Sequence, residues 1–260
     1  MNITLNIFIF LILGLIVGSF LNVVIFRIDD LKSIINTRSH CQNCKKIIAW
    51  YDLIPFLSFF ILRARCRNCG QKISIQYPLV EGATAILFVF LYLMYGLGWS
   101  LVFYLIVFSL LLVIFVYDLK TSTVPEILVW TALVISLLFG WYFGGAGILN
   151  MIAGGIIAGG FLFMLVYFSK EKWMGWGDVK IGVILGLLTG SLLPYGYVNA
   201  IFGLFLAFIL GSIIGLALIF FQKKTLKTAI PFAPFLIFSI LLTLTYGQIL
   251  ISWYLNLFIR

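Results

Sequence analysis

Gly175-Trp176-Gly177-Asp178-Val179-Lys180 leads straight into the apolar run Ile181-Gly182-Val183-Ile184-Leu185-Gly186. A carboxylate thus stands at the mouth of a segment fit for lipid, in a chain with only 8 Asp and Glu among 260 residues. An ionisable side chain in a bilayer costs on the order of 2.5–3.5 kcal/mol on insertion scales, so such a group marks a functional site by default. One other stretch has the same character: Tyr117-Asp118-Leu119-Lys120, at the end of an apolar run. Asp118 and Asp178 are therefore the candidate catalytic pair.

The rest of the chain supplies their setting. It is 63% hydrophobic and 10% charged, far too apolar for a soluble domain of this length. Runs near the ~20 residues needed to span the hydrocarbon recur along it. The expected fold is an all-α polytopic membrane protein of about eight transmembrane helices, at roughly 3–26, 79–97, 100–117, 126–143, 148–168, 178–193, 197–221 and 232–257. The first run has no basic residue ahead of it and no small-residue cleavage site, so it reads as a retained anchor.

The formal net charge of +9 suggests nucleic acid until the basic residues are placed. Nine of the 17 Lys and Arg fall between the first and second spans: Arg27, Lys32, Arg38, Lys45, Lys46, Arg63, Arg65, Arg67 and Lys72. Lys120, Lys170, Lys172, Lys180, Lys223, Lys224 and Lys227 fall at alternate loops, and only Arg260 lies on the other side. The loops Gly96–Ser100, Gly144–Gly147 and Pro194–Gly196 carry none. The charge is then a topology signal: the long first loop faces the cytoplasm and both termini face out. No nucleic-acid partner is expected. The chain divides into a first transmembrane helix (1–26), a cytoplasmic module (27–77) and a seven-helix core (78–260).

That module is small for a self-sufficient core and needs a staple. It holds all 4 cysteines, as Cys41-Gln42-Asn43-Cys44 and Cys66-Arg67-Asn68-Cys69. Two C-x-x-C pairs fit a tetrahedral structural zinc site. Disulfides or a thiol oxidoreductase are the rival reading, which a reducing cytoplasm disfavours. His40, the single histidine, is surplus to a complete cysteine set, and without a second histidine a Ser-His or Cys-His nucleophile is nearly excluded. Trp50–Phe60 reads as an interfacial amphipathic piece or as the core of the module. Glu81 reads as a helix-start charge, and as a weaker site candidate.

At the end of the first span, Gly18 and Asn22 suit helix packing, and with Arg27 they also suit a site at the cytoplasmic face. Small residues at Gly154, Gly155, Gly159, Gly160, Gly182, Gly186 and Gly190 predict close contact of the fifth and sixth spans, with the sixth central. Pro231 and Pro234 either open the last helix for an extended ligand or merely start it.

Asp118 should end one helix and Asp178 begin another, both at the cytoplasmic side. Helix N-termini favour negative charge and C-termini disfavour it, so Asp178 is the expected ionised member and Asp118 the protonated one. One proton shared by two carboxylates is the arrangement of aspartic proteases.

In order and spacing, Gly18-Ser19-Phe20-Leu21-Asn22-Val23, the two cysteine pairs, Tyr77-Pro78-Leu79-Val80-Glu81, Asp118 with Val124-Pro125, Gly175-Trp176-Gly177-Asp178-Val179-Lys180 and Pro231-Phe232-Ala233-Pro234-Phe235 resemble the bacterial type 4 prepilin peptidases over essentially the whole chain. The resemblance implies a membrane aspartic endopeptidase that removes the basic leader of prepilins or pseudopilins after a glycine, with Asp118 and Asp178 catalytic. It implies zinc on Cys41, Cys44, Cys66 and Cys69, and N-methylation of the new terminus with S-adenosylmethionine, for which Gly18, Asn22 and Arg27 are the candidate residues. It implies the bacterial inner membrane as location. Gln42 stands where a Pro is frequent in this family, Ile28-Asp29 where a Pro is common after the Arg, and Glu126 where an Asp is frequent. Two other readings are a presenilin-like Gly-x-Gly-Asp protease, which lacks the Pro-Ala-Leu element here, and a metal-cation transporter, whose ligands should lie at the bilayer midplane rather than at span ends.

Overall fold

The computed structural model describes residues 3–143, 147–222 and 230–258. Gly144, Gly145, Ala146, Lys223, Lys224, Lys227 and Arg260, used above in reading the topology, lie outside them. The described residues form ten α-helices, one 3-10 turn at Trp50–Leu53 and two isolated bridges. The helices are α1 (Ile3–Arg27), α2 (Leu31–Asn36), α3 (Leu57–Ile61), α4 (Gln76–Tyr95), α5 (Trp99–Thr121), α6 (Glu126–Phe143), α7 (Ile148–Ser169), α8 (Trp176–Gly190), α9 (Tyr197–Gln222) and α10 (Ala233–Phe258).

Six of them, α1, α4, α5, α7, α9 and α10, are long and apolar enough to cross a membrane, and the chain is an integral membrane protein. α6 is shorter. α8 has 15 residues, about 22 Å of helix at 1.5 Å per residue, less than the ~30 Å hydrocarbon. Its side chains explain the difference: Ile181, Gly182 and every residue from Ile184 to Gly190 are buried. A helix hidden on all sides is a core element.

The chain forms two compact units, Met1–Val113 and Ile114–Arg260. In the first, α1 packs along α4. The buried stripe of α1, Asn6, Phe10, Gly14, Gly18, Leu21, Asn22 and Ile25, has the spacing of one helix face. A Cβ on Gly14 would lie 2.5 Å from the Ala85 Cα, and one on Gly18 2.7 Å from the Glu81 Cα. The helices are as close as backbones allow.

In the second unit, α8 touches α6, α7, α9 and α10. α7 and α8 meet backbone to backbone: a Cβ on Gly154 would sit 2.5 Å from the Gly186 carbonyl oxygen. The small-residue spacing read from the sequence is thus the α7–α8 seam, except at Gly160, which faces open space. α10 starts in the ordinary way, with Phe232 accepting from the Phe235 and Leu236 N–H groups and Pro234 in the first turn.

Candidate active site

Asp118 lies in the last turn of α5. The helix stops at Ser122, whose φ of 53° is left-handed and whose N–H donates to the Asp118 carbonyl at 2.8 Å. Thr121 Oγ1 caps the turn by donating to the Tyr117 carbonyl at 2.9 Å. The chain then runs through Val124-Pro125 into α6. Asp178 occupies the third position of α8. Its Oδ2 accepts the Gly175 N–H at 3.3 Å, and its own N–H donates to the Gly175 carbonyl at 3.2 Å. With glycine at the cap, the whole cap is made by Asp178 and backbone.

Gly177 ties the two places together. A Cβ there would come within 2.6 Å of Val124 Cγ2, so the absent side chain is the space that the α5–α6 turn fills. Lys180 adds a second tie: its Nζ pairs with Glu126 Oε1 at 2.6 Å and lies 5.5 Å from the centre of the Trp130 ring, both on α6. Glu126 therefore finds its cation on α8.

Both carboxylates are buried, Asp118 with 4% and Asp178 with 9% of its surface exposed. Asp178 feels the charge of Asp118. Asp118 Oδ2 has no hydrogen-bond partner among the described residues, and a buried carboxylate oxygen without a donor is costly unless protonated or used.

The four cysteine sulfurs of the first unit all lie within 4.8 Å of one another, with Cys41 and Cys69 3.8 Å apart. A tetrahedron with Zn–S bonds of ~2.3 Å has edges of about 3.8 Å, so the set fits zinc. The two knuckles are copies. Cys41 N–H donates to Lys46 O at 3.0 Å and Lys45 N–H to Cys41 O at 2.9 Å, while Cys66 N–H donates to Gln71 O at 2.8 Å and Gly70 N–H to Cys66 O at 2.9 Å. Lys45 and Gly70 hold the same left-handed position, φ 59° and 69°. The Cys44 and Asn43 N–H groups hold the Cys41 thiol down at about 6, and the Gln71 N–H lowers Cys69. At Cys44 the Lys46 N–H also favours thiolate, but burial and the facing sulfurs outweigh it and push the group up to about 11. Crowded thiolates of this kind are what a divalent cation relieves. His40 stays out of the cluster, with Nδ1 3.1 Å from the Arg38 carbonyl.

Gly18, Asn22 and Arg27 are engaged within the chain. Gly18 is the α1–α4 contact. Asn22, fully buried, donates to Gly18 O at 3.3 Å and Tyr77 O at 3.1 Å and accepts from Gln76 Nε2 at 3.4 Å. Arg27 donates to Ser33 O at 2.8 Å, Thr37 O at 2.9 Å, Thr37 Oγ1 at 2.5 Å and Arg38 O at 3.4 Å. These bonds fold the chain from α1 into the cysteine module.

Glu81 is where the sequence said too little. It stands in the second turn of α4, 6% exposed, and its Oε2 accepts the Phe56 N–H at 2.7 Å. Phe56 has φ 62° and ψ −51°, and the Leu57 N–H reaches back to Pro55 O at 2.6 Å, a γ-turn of the rare, strained kind. The signal available was an acidic residue inside an apolar helix; its partner lies 25 positions away.

Fold and site together define a multi-span membrane protein with a four-cysteine module in one unit and two buried aspartates at neighbouring helix ends in the other. Comparison with known proteins adds the family. Residues 12–95 match the bacterial peptidase A24 N-terminal domain and residues 105–220 the type IV leader peptidase family. A prepilin leader peptidase/N-methyltransferase of Bacillus subtilis (strain 168) is 32% identical over 255 residues, 95% of this chain and 96% of that protein. The protein of the same description from Vibrio cholerae is 31% identical, covering 88% and 92%, and that from Aeromonas hydrophila 30%, covering 95% and 92%. The chain belongs to the type IV leader peptidase family. No solved structure matches it.

Proposed function

We propose that this chain is an aspartic endopeptidase that cuts the basic leader from type IV prepilins or pseudopilins, with Asp118 and Asp178 as the catalytic pair. The observation that carries the reading is the burial of two carboxylates in one unit, at helix ends that the Gly177–Val124 contact brings together, one of them with an oxygen that no described donor satisfies. Asp178, at a helix N-terminus and bonded to the Gly175 N–H, takes the proton of the attacking water. Asp118, at a helix C-terminus, holds the shared proton and delivers it to the leaving amine. Val124 against Gly177 and Lys180 on Glu126 position the pair and keep the lysine charge turned toward α6.

The cut falls at the cytoplasmic face of the bacterial inner membrane. Support for that side comes from the basic residues of the 27–77 segment and the positive-inside rule. Eight spans, with α6 and α8 the short ones, fit both termini outside. Cys41, Cys44, Cys66 and Cys69 would hold a structural zinc ion, which supplies charge balance and a cross-link. We further propose N-methylation of the new terminus with S-adenosylmethionine, as in the names of the relatives. Gly18, Asn22 and Arg27, which build the α1–α4 frame and the turn into the cysteine module, remain the candidate residues for that activity.

The test is mass spectrometry of a prepilin incubated with the purified, reconstituted enzyme. Leader loss that disappears in both Asp118→Asn and Asp178→Asn is expected. Substantial cleavage by either variant would refute the dyad.

A further inference from the structure

We infer that the segment from Trp50 to Ile61 is a membrane-seated elbow: its apolar side chains lie in the headgroup and upper acyl region of the bilayer, and Glu81 clips it there. If this segment were the core of the cysteine module, its large side chains would be hidden. Among its described residues only Ser58 is buried, while Trp50 is 78% exposed and Leu53, Ile54, Leu57, Phe60 and Ile61 are exposed as well. So many exposed large apolar groups in so short a stretch mark an interaction surface.

The occupant is lipid, for two reasons found in the same unit. The elbow is continuous with surface that already faces the hydrocarbon: a cavity of about 430 Å³ is lined jointly by Ile16, Phe20 and Val23 of the span α1 and by Trp50, Leu53 and Ile54 of the elbow. The chain beyond it is basic, with Arg63, Arg65 and Lys72, the complement of anionic headgroups. Trp and Tyr at the elbow's start suit that depth.

Two attachments make the elbow rigid. Arg67, between the second pair of cysteines, pairs with Asp52 at 2.9 and 2.6 Å and lies 5.4 Å from the Tyr51 ring centre. At the other end the Glu81 carboxylate holds the N–H of the γ-turn at Phe56. A strained turn bound by a buried carboxylate of a membrane helix fixes the depth of the loop, and through Arg67 the height of the metal knuckle. Glu81 is in this sense a positioning residue.

The experiment uses the full-length protein in vesicles of phosphatidylcholine and phosphatidylglycerol, with and without bromine on the upper acyl carbons. The Trp50 signal is the difference in emission between the wild type and Trp50→Phe. Bromolipid should lower that difference signal about twofold, as expected for an interfacial indole, while aqueous acrylamide leaves it nearly unchanged. Glu81→Leu should shift the balance toward acrylamide. Glu81→Gln, which keeps an oxygen for the Phe56 N–H, should retain the wild-type pattern and controls for misfolding. A Trp50 signal quenched by acrylamide and not by bromolipid, or shielded from both by protein, would overturn the proposal.

Discussion

Each unit of this chain buries acid at a helix pair, and the two sites treat it in opposite ways. In the first unit Glu81 is met by the Phe56 N–H at 2.7 Å. In the second, Asp178 receives one long backbone bond, and Asp118 Oδ2 receives none among the described residues. Burial alone therefore does not distinguish structure from chemistry. What distinguishes them is whether the fold spends donors on the charge. Where it does, the carboxylate is a fastener; where it withholds them from two buried acids, the acids are left open to the proton sharing proposed above.

The largest effect should come from removing one member of the pair. Asp118→Asn and Asp178→Asn should each lower leader cleavage by about 10²–10⁴-fold, the usual worth of a general acid or base, with little change in thermal stability. Cleavage should also fall on both sides of a pH optimum, because the doubly ionised and doubly protonated pairs are each incompetent. Glu81→Leu should do the reverse, costing about 1–3 kcal/mol of stability by orphaning the Phe56 N–H, read as a lower unfolding midpoint, while cleavage persists. If Glu81→Leu abolished cleavage and left stability intact, the contrast between the two sites would collapse.

The next effect sharpens the comparison from the side of packing. Gly177→Ala drives a methyl against Val124 and displaces the head of α8. Misplacement of about 1 Å can cost on the order of 10²-fold in rate, so cleavage should drop far more than stability, and Val124→Ala in the same chain should restore part of it.

Much of this was readable from residues alone. The apolar runs gave the helices nearly to their ends, since a helix satisfies its own backbone in lipid within one continuous run. The doubled C-x-x-C pairs gave the sulfur cluster because each pair is a local turn. The glycines gave the α7–α8 seam for the same reason of short range. What stayed hidden depends on partners far apart in the chain. Glu81 read as a helix-start charge because nothing near it names Phe56. The preference for glycine at 177 has no local cause at all; it is set by Val124, 53 positions earlier.

The smallest effects concern the module. Lys45→Gly should stabilise its knuckle and Gly70→Ala weaken the other, each by about 1 kcal/mol, since a left-handed residue with a side chain is strained; zinc retention against a chelator would report both. The Arg67 guanidinium holds the Asp52 carboxyl below the usual carboxylate range. That contribution is complete at neutral pH and lost as pH falls through the lowered value, so proteolysis of the 50–61 segment should quicken only in acid.

The duplicated knuckles have a consequence for assembly. Each is closed by its own pair of backbone bonds, so each can form as an independent jaw before any ion arrives. A metal held by the four sulfurs would then shut a clip whose jaws are already shaped, and what it would supply is the ordering of the chain strung between them. Stripping the ion should open the clip and leave the jaws whole, ready to snap shut when it returns.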